Sequence, residues 1–197
     1  MGVLYAVPIG APQLWLFDAL ALCLFVLVVR AALRRPKEAG ANRDSSARAG
    51  IVVQTAGIFL VGIGPVHPLL PWAGISALAG LAGVLLLNGG AVALFASSST
   101  TLGRNWSIEA RTLEDHELVR TGPYARVRHP IYLAMLLFLL GLAVALGHWI
   151  QLVIAVPTFL IGTKMRTDAE ERLLEQSFGE QFRNYRASTP AIFPKIA

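Results

Sequence analysis

Arg128-His129-Pro130-Ile131-Tyr132 opens an apolar run that ends at Leu146 and is closed by Gly147-His148. A second apolar run, Trp149–Met165, follows at once and delivers Arg166, Glu170 and Glu171. Pro130 suits the first turn of a helix, where its missing N–H would have no helical partner. His129 then falls at the helix cap, and Tyr132 lies about one turn in, with an apolar ring and a polar hydroxyl. The connection at Gly147-His148 is short, so the two runs are expected to be antiparallel neighbours. Arg166 therefore returns to the end that carries His129. Glu170, four residues beyond Arg166, shares its helix face. Ionisable groups are thus gathered at one end of two apolar helices.

The rest of the chain extends this pattern. Of 197 residues, 55% are hydrophobic and 15% charged, against about 25% charged in a soluble domain. A membrane-crossing helix needs roughly 20 mostly apolar residues. The candidate spans are Gln13–Leu33, Ile51–Leu70, Trp72–Ala96, Pro130–Leu146 and Trp149–Met165. The 17 Lys and Arg residues all fall before the second span, between the third and fourth, or after the fifth, with Arg30 and Lys164 at span ends. Leu70-Pro71-Trp72 and Gly147-His148, on the other side, carry none. Basic loops stay cytoplasmic. The expected fold is therefore an all-α integral membrane protein with five transmembrane helices, its N-terminus outside and its C-terminus cytoplasmic. The active site would face the cytoplasm, across the inner membrane if the source is bacterial. The net charge of +5 reads as a topology signal with attraction to anionic headgroups, and no nucleic-acid partner is expected. Met1–Pro12 lacks a basic leader, so the first span reads as a retained helix rather than a cleaved signal. Cys23 is the only cysteine, which excludes an intrachain disulfide and a cysteine metal cluster.

Residues 1–97 read as a three-helix transmembrane scaffold, and residues 98–197 as the part that carries the chemistry. Pro36–Gly50 reads as a polar loop. The glycine-rich second and third spans suit close helix packing. Asn88 within the third span is expected to make an interhelical hydrogen bond, and Asp18 to reach the interface near the outer end of the first. Beyond the fifth span, Leu173, Leu174, Phe178, Phe182 and Tyr185 recur in steps of three and four, one face of a helix. Gly179 is placed to break it. That segment is either an amphipathic helix lying on the membrane or a C-terminal lid over a pocket between the fourth and fifth spans.

The ordered pattern His116-x-Leu118-Val119-x-x-Gly122-x-Tyr124-x-x-x-Arg128-His129-Pro130-x-Tyr132, a hairpin, then Arg166-x-x-x-Glu170-Glu171 and Phe178-Gly179-x-x-Phe182-x-x-Tyr185 resembles the isoprenylcysteine carboxyl methyltransferase family. That family is similar in turn to phospholipid N-methyltransferases and small bacterial thiol methyltransferases. The likeness runs from about Leu102 to Pro194, and the first three spans match only in kind. It implies S-adenosyl-L-methionine as methyl donor. Donor contacts would fall on His116, Glu117, Leu118, Val119, Tyr124, His129, Pro130, Ile131, Tyr132 and Glu170. Arg166 falls where the family holds the substrate carboxylate. Arg166 and Glu170 are thus the expected catalytic pair, and no metal is implied. The implied partners are a lipophilic or prenylated acceptor reaching the site from the bilayer, and membrane lipid itself.

The acceptor decides what the residues must do. A carboxylate is already nucleophilic and needs positioning, which Arg166 offers as a bidentate fork. An amine or thiol must first lose a proton, and Glu170, Glu171 or His129 would act as base. Retention of Arg166 favours the anionic acceptor. A strand, glycine-rich turn and helix of the kind that holds the donor in soluble methyltransferases is absent from the sequence pattern. The competing class is a non-enzymatic membrane scaffold or small permease, which would tolerate changes at His129 and Glu170. A metal hydrolase using His116, His129 and Glu170 lacks a close pair of histidines one helical turn apart.

Overall fold

The computed structural model describes residues 12–34, 42–43, 45–64, 66, 75–103, 111–112 and 118–194. The helices are α1 (Pro12–Arg34), α2 (Ser45–Gly62), α3 (Ile75–Val84), α4 (Gly90–Leu102), α5 (Pro130–Leu146), α6 (Leu152–Phe178) and α7 (Glu180–Ser188). One π-helical turn, Leu85–Gly89, joins α3 to α4 without a break in helical backbone. Two short strands, β1 (Asn42–Arg43) and β2 (Arg111–Thr112), pair antiparallel. A 3-10 turn, Gly122–Ala125, leads into α5.

The α5–α6 hairpin forms as its residues dictate. Pro130 occupies the first turn of α5 with His129 as its cap. Gly147 adopts a left-handed conformation (φ 75°) and its N–H bonds to Ala143 O, a conformation that costs glycine little. His148 is buried in the turn, where its Nδ1 contacts Val61 O at the end of α2. The packed centre is Val61 from α2, Leu136, Leu139 and Ala143 from α5, and Ala155 and Phe159 from α6.

Small residues set the spacing of α2 and α6. A Cβ on Gly57 would lie 2.7 Å from Phe159 N, and one on Gly162 would lie 2.3 Å from Gln54 N. Removing the side chain at these points lets the two backbones meet. Asn88, in the π turn, donates to Phe138 O on α5 at 3.4 Å, the interhelical bond expected of it. Its Oδ1 is buried without a partner among the described residues, and a Cβ on Gly141 would lie 1.8 Å from that atom.

Two expectations are corrected. The stretch Pro36–Gly50 is not wholly loop: α2 begins at Ser45. Its polarity misled because one face of that first turn is buried, with Ala47 packed on Ala169 and Leu173 of α6. The fifth apolar run and the periodic segment after it are one helix, α6, which starts at Leu152 rather than Trp149 and runs through Pro157. The π turn was not anticipated at all. By contrast Gly179 (φ 50°) does end α6, and α7 buries Phe182 and Tyr185 while its other residues face outward. Pro12–Arg34 and Leu78–Leu102 are the described helices long and apolar enough to cross a membrane; Ala47–Gly62 and Pro130–Leu146 are shorter apolar helices. The connection Leu70-Pro71-Trp72 lies outside the described residues.

Candidate active site

The start of α5 and the second half of α6 meet through a charged cluster. Glu171 is its hub. Its Oε1 accepts from Arg128 Nε at 3.0 Å and Nη2 at 2.8 Å, and lies 2.9 Å from His129 Nε2. The other ring nitrogen of His129, Nδ1, is 3.4 Å from Glu170 Oε2. Tyr132 donates its hydroxyl to Glu170 Oε1. A carboxylate thus stands against each nitrogen of the ring, and both nitrogens can donate only in the protonated form.

The electrostatics agree with that geometry. Burial opposes charge on His129, but hydrogen bonds and charges from Glu170 and Glu171 outweigh it and raise its pKa above the usual 6.5. Burial likewise opposes charge on Glu170. The His129 hydrogen bond and charge, the Arg166 charge and the Tyr132 hydrogen bond more than compensate, so its pKa is lowered. Glu171 is lowered against its own burial by His129 and Arg128. Arg128 and His129 together offset Glu170 and Glu171.

The C-terminal strap closes over this cluster. Arg128 Nη1 donates to Arg186 O at 3.1 Å and also to Thr189 O. The backbone N–H groups of Arg128 and His129 donate to Pro190 O at 2.9 Å and Ala191 O at 2.8 Å. Tyr185 donates to Tyr124 O at 2.6 Å, tying α7 to the 3-10 turn. Burial pushes the Tyr185 phenol up to about 12. Burial, followed by the Glu170 charge, raises Tyr124 well above 10. Beside the strap lies a cavity of about 410 Å³ lined by Arg120, Ala125, Asn184, Tyr185, Ser188 and Thr189.

Arg166 enters from α6 on the other side of Tyr132. It is buried, with its guanidinium carbon 4.8 Å from the centre of the Tyr132 ring. Its Nη1 donates to Gln54 Oε1 at 2.6 Å. Gln54 Nε2 in turn donates to Thr163 Oγ1 at 2.7 Å.

Of the residues singled out from sequence, His129, Tyr132, Arg166 and Glu170 converge, with Pro130 buried at the helix start. Tyr124 is buried close enough to Glu170 to feel its charge. Ile131 instead packs with Phe95 and Ala134, because consecutive helical residues point about 100° apart. Leu118 and Val119 lie half-buried before the 3-10 turn. His116 and Glu117 lie outside the described residues. Gln54 was missed. Its signal was present: a lone glutamine inside the apolar run that starts at Ile51, where a polar side chain must find a partner. The role of Glu171 as hub was also missed, since its neighbour Glu170 fits the same spacing.

A sequence model described as phospholipid methyltransferase matches residues 78–181, more than half of the chain and the whole charged cluster. Protein-S-isoprenylcysteine O-methyltransferase of Schizosaccharomyces pombe is 30% identical over 105 residues, 52% of this chain and 44% of that one. The rat protein of the same name is 31% identical over 105 residues, 53% and 36% of the two chains. The cobalt-zinc-cadmium resistance protein CzcN of Cupriavidus metallidurans is 32% identical over 101 residues, 51% and 46% of the two chains. The chain thus spans less than half the length of each of these three relatives. The order of motifs, the charged cluster they build and the matched residues coincide, and the chain belongs to the phospholipid methyltransferase family, as a relative of the isoprenylcysteine O-methyltransferases.

Proposed function

We propose that the chain is an S-adenosyl-L-methionine-dependent membrane methyltransferase that esterifies the carboxylate of a lipophilic, isoprenylcysteine-like acceptor. The observation that carries this reading is the mutual commitment of His129, Glu170 and Glu171. An amine or thiol acceptor requires a base. Glu170 and Glu171 have lowered pKa values, which makes them weak bases, and the two carboxylates beside His129 favour its protonated form, in which it has no lone pair to accept a proton. A carboxylate acceptor needs no base. Arg166 brings a positive charge suited to an anion, and its guanidinium geometry suits a carboxylate. Holding two reactants in line is worth roughly 7–11 kcal/mol of barrier, so positioning alone accounts for much of the rate.

The residues fit the donor. Glu170 is the most open ion-paired side chain of the charged cluster, 25% exposed against 16% for Glu171, 11% for Arg128 and 6% for His129. It is the carboxylate available to an ammonium group, while Tyr132 and His129 fix its orientation. When bound, the donor supplies a methyl group on a sulfonium, transferred in line as a neutral thioether leaves. Leu118, Val119 and Tyr124, with His116 and Glu117, would complete the donor side. Arg166 holds the acceptor.

In this reading the chain crosses the bilayer five times, with the cluster at the cytoplasmic face. The first three spans serve as scaffold and residues 98–197 carry the chemistry. At 1.5 Å per residue, the 17 residues of α5 reach about 25 Å, short of the roughly 30 Å hydrocarbon core. That shortfall draws His129 and Tyr132 to the membrane boundary, where a lipid-borne acceptor and a water-borne donor can meet. The test is calorimetric titration of S-adenosyl-L-methionine into the detergent-purified protein and its Glu170→Ala variant. Binding by the wild type, weakened at least tenfold in the variant, is expected; a wild type that does not bind sinks the reading.

A further inference from the structure

We infer that Gln54 is the positioning residue for Arg166, and that its neutrality sets the charge the site presents to the acceptor. Gln54 is 1% exposed on a helix whose other residues, apart from Arg48, are small or apolar. A buried amide is costly unless both its ends are bonded, and here both are. The Nε2 end donates to Thr163 Oγ1 at 2.7 Å, which turns the Oε1 end to Arg166 Nη1 at 2.6 Å. Thr163 and Arg166 are three residues apart on α6, on one face. The Gln54 amide therefore bridges them from the opposing helix.

The backbone around this bridge leaves little freedom. A Cβ on Gly162 would lie 2.7 Å from Gln54 Cα, and one on Gly50 would lie 2.7 Å from Arg166 Cγ. Glycines on both helices thus bracket the amide, and the stem of Arg166 runs against the backbone of α2. Packing alone would be served by leucine at position 54, which fills similar space and buries no polar atoms. What glutamine adds is a direction for the guanidinium. Holding an arginine with a neutral carboxamide fixes its plane and adds no counter-charge. A carboxylate at the same place would fix the plane equally well and cancel the charge. Gln54 thus acts as a selector: it orients Arg166 toward the acceptor without adding a negative charge, favouring an anionic head over a neutral or cationic one.

This inference rests on the reading of Arg166 as the group that holds the acceptor carboxylate, and the experiment separates the two. The full chain, purified in detergent, is assayed for methyl transfer to a prenylcysteine analogue, with the donor Kd measured alongside. The variants are Gln54→Glu, Gln54→Leu, Arg166→Ala and the Gln54→Leu/Arg166→Ala double variant. Gln54→Glu and Gln54→Leu are each expected to raise the acceptor KM at least tenfold, with donor Kd within twofold of wild type. The double variant should be little worse than Arg166→Ala alone, because both changes disable one device. An unchanged acceptor KM in Arg166→Ala overturns the underlying reading of Arg166. A raised KM there, with both Gln54 variants within twofold of wild type, overturns the role of Gln54 and leaves that reading standing. Equal loss of donor affinity and acceptor KM in the Gln54 variants also overturns it, since that marks general damage. Should Gln54→Leu fail to yield folded protein, the isosteric Gln54→Glu decides by the same criteria, its melting temperature reporting the fold.

Discussion

Gly162→Ala reaches the site through packing alone. The added methyl would stand 2.3 Å from Gln54 N, 2.7 Å from Gln54 Cα and 2.8 Å from Gly50 O. All three are backbone atoms, so no side-chain rotation relieves the clash. Carbon atoms rest at about 3.5–4.0 Å, so α2 and α6 must part by about 1 Å. Overpacking of this kind costs about 1–3 kcal/mol. The same movement stretches the bonds from Gln54 to Arg166 and Thr163, now 2.6 Å and 2.7 Å, beyond useful length. A hydrogen bond to a charged group contributes about 1.5–3 kcal/mol. The sum is about 4 kcal/mol, and each kcal/mol shifts the melting temperature by about 2–4 °C in a chain of this size. A fall of roughly 8–16 °C is expected in detergent, together with a raised acceptor KM and a donor Kd near wild type. A variant that melts within about 2 °C of wild type, with unchanged kinetics, would refute the close-packing argument.

Three further outcomes follow from the same geometry. Glu171→Gln removes the negative charge that Arg128 and His129 share; the loss is about 2 kcal/mol, below the range for fully buried pairs because the site is partly open. NMR titration should also find the His129 pKa lower in that variant, and an unchanged value would contradict the hub assignment. Glu170 and Glu171, lowered from 4.5, contribute stability above that value that is lost as pH falls through their folded pKa values. His129, raised from 6.5, contributes below 6.5 and loses its share as pH rises through its folded pKa. Thermal melts across pH should therefore plateau between about 4.5 and 6.5 and decline on both sides; stability that keeps climbing above 6.5 would count against the paired imidazolium. Gly141→Ala drives a methyl into Asn88 Oδ1 and should cost about 1–3 kcal/mol, whereas Asn88→Ala in the same chain should restore most of it. Additive losses in that pair would show that the two residues do not meet.

Local chemistry made part of this legible in the sequence. Pro130 announces the start of α5, Gly147 its end, and Gly179 the break between α6 and α7, because each acts on its own few residues of backbone. The four-residue step from Arg166 to Glu170 likewise needs only a helix. What stayed hidden depends on distant neighbours. The bond from Gln54 to Arg166 spans 112 residues, and that from Arg128 N–H to Pro190 O joins a helix start to a strap that periodicity does not describe. Ile131 was carried along with its motif, though its place on the helix turns it to Phe95. The choice of Glu171 over Glu170 as hub follows from how α6 rotates against α5, which spacing alone does not fix.

Radiolabelled S-adenosyl-L-methionine supplied with three acceptors in parallel, a prenylcysteine analogue, phosphatidylethanolamine and a simple thiol, decides whether the enzyme esterifies a carboxylate. Label is expected on the prenylcysteine analogue, released by mild base as a methyl ester should be, with little on the other two. Base-stable label on the amine or the thiol, with none on the carboxylate, would contradict it.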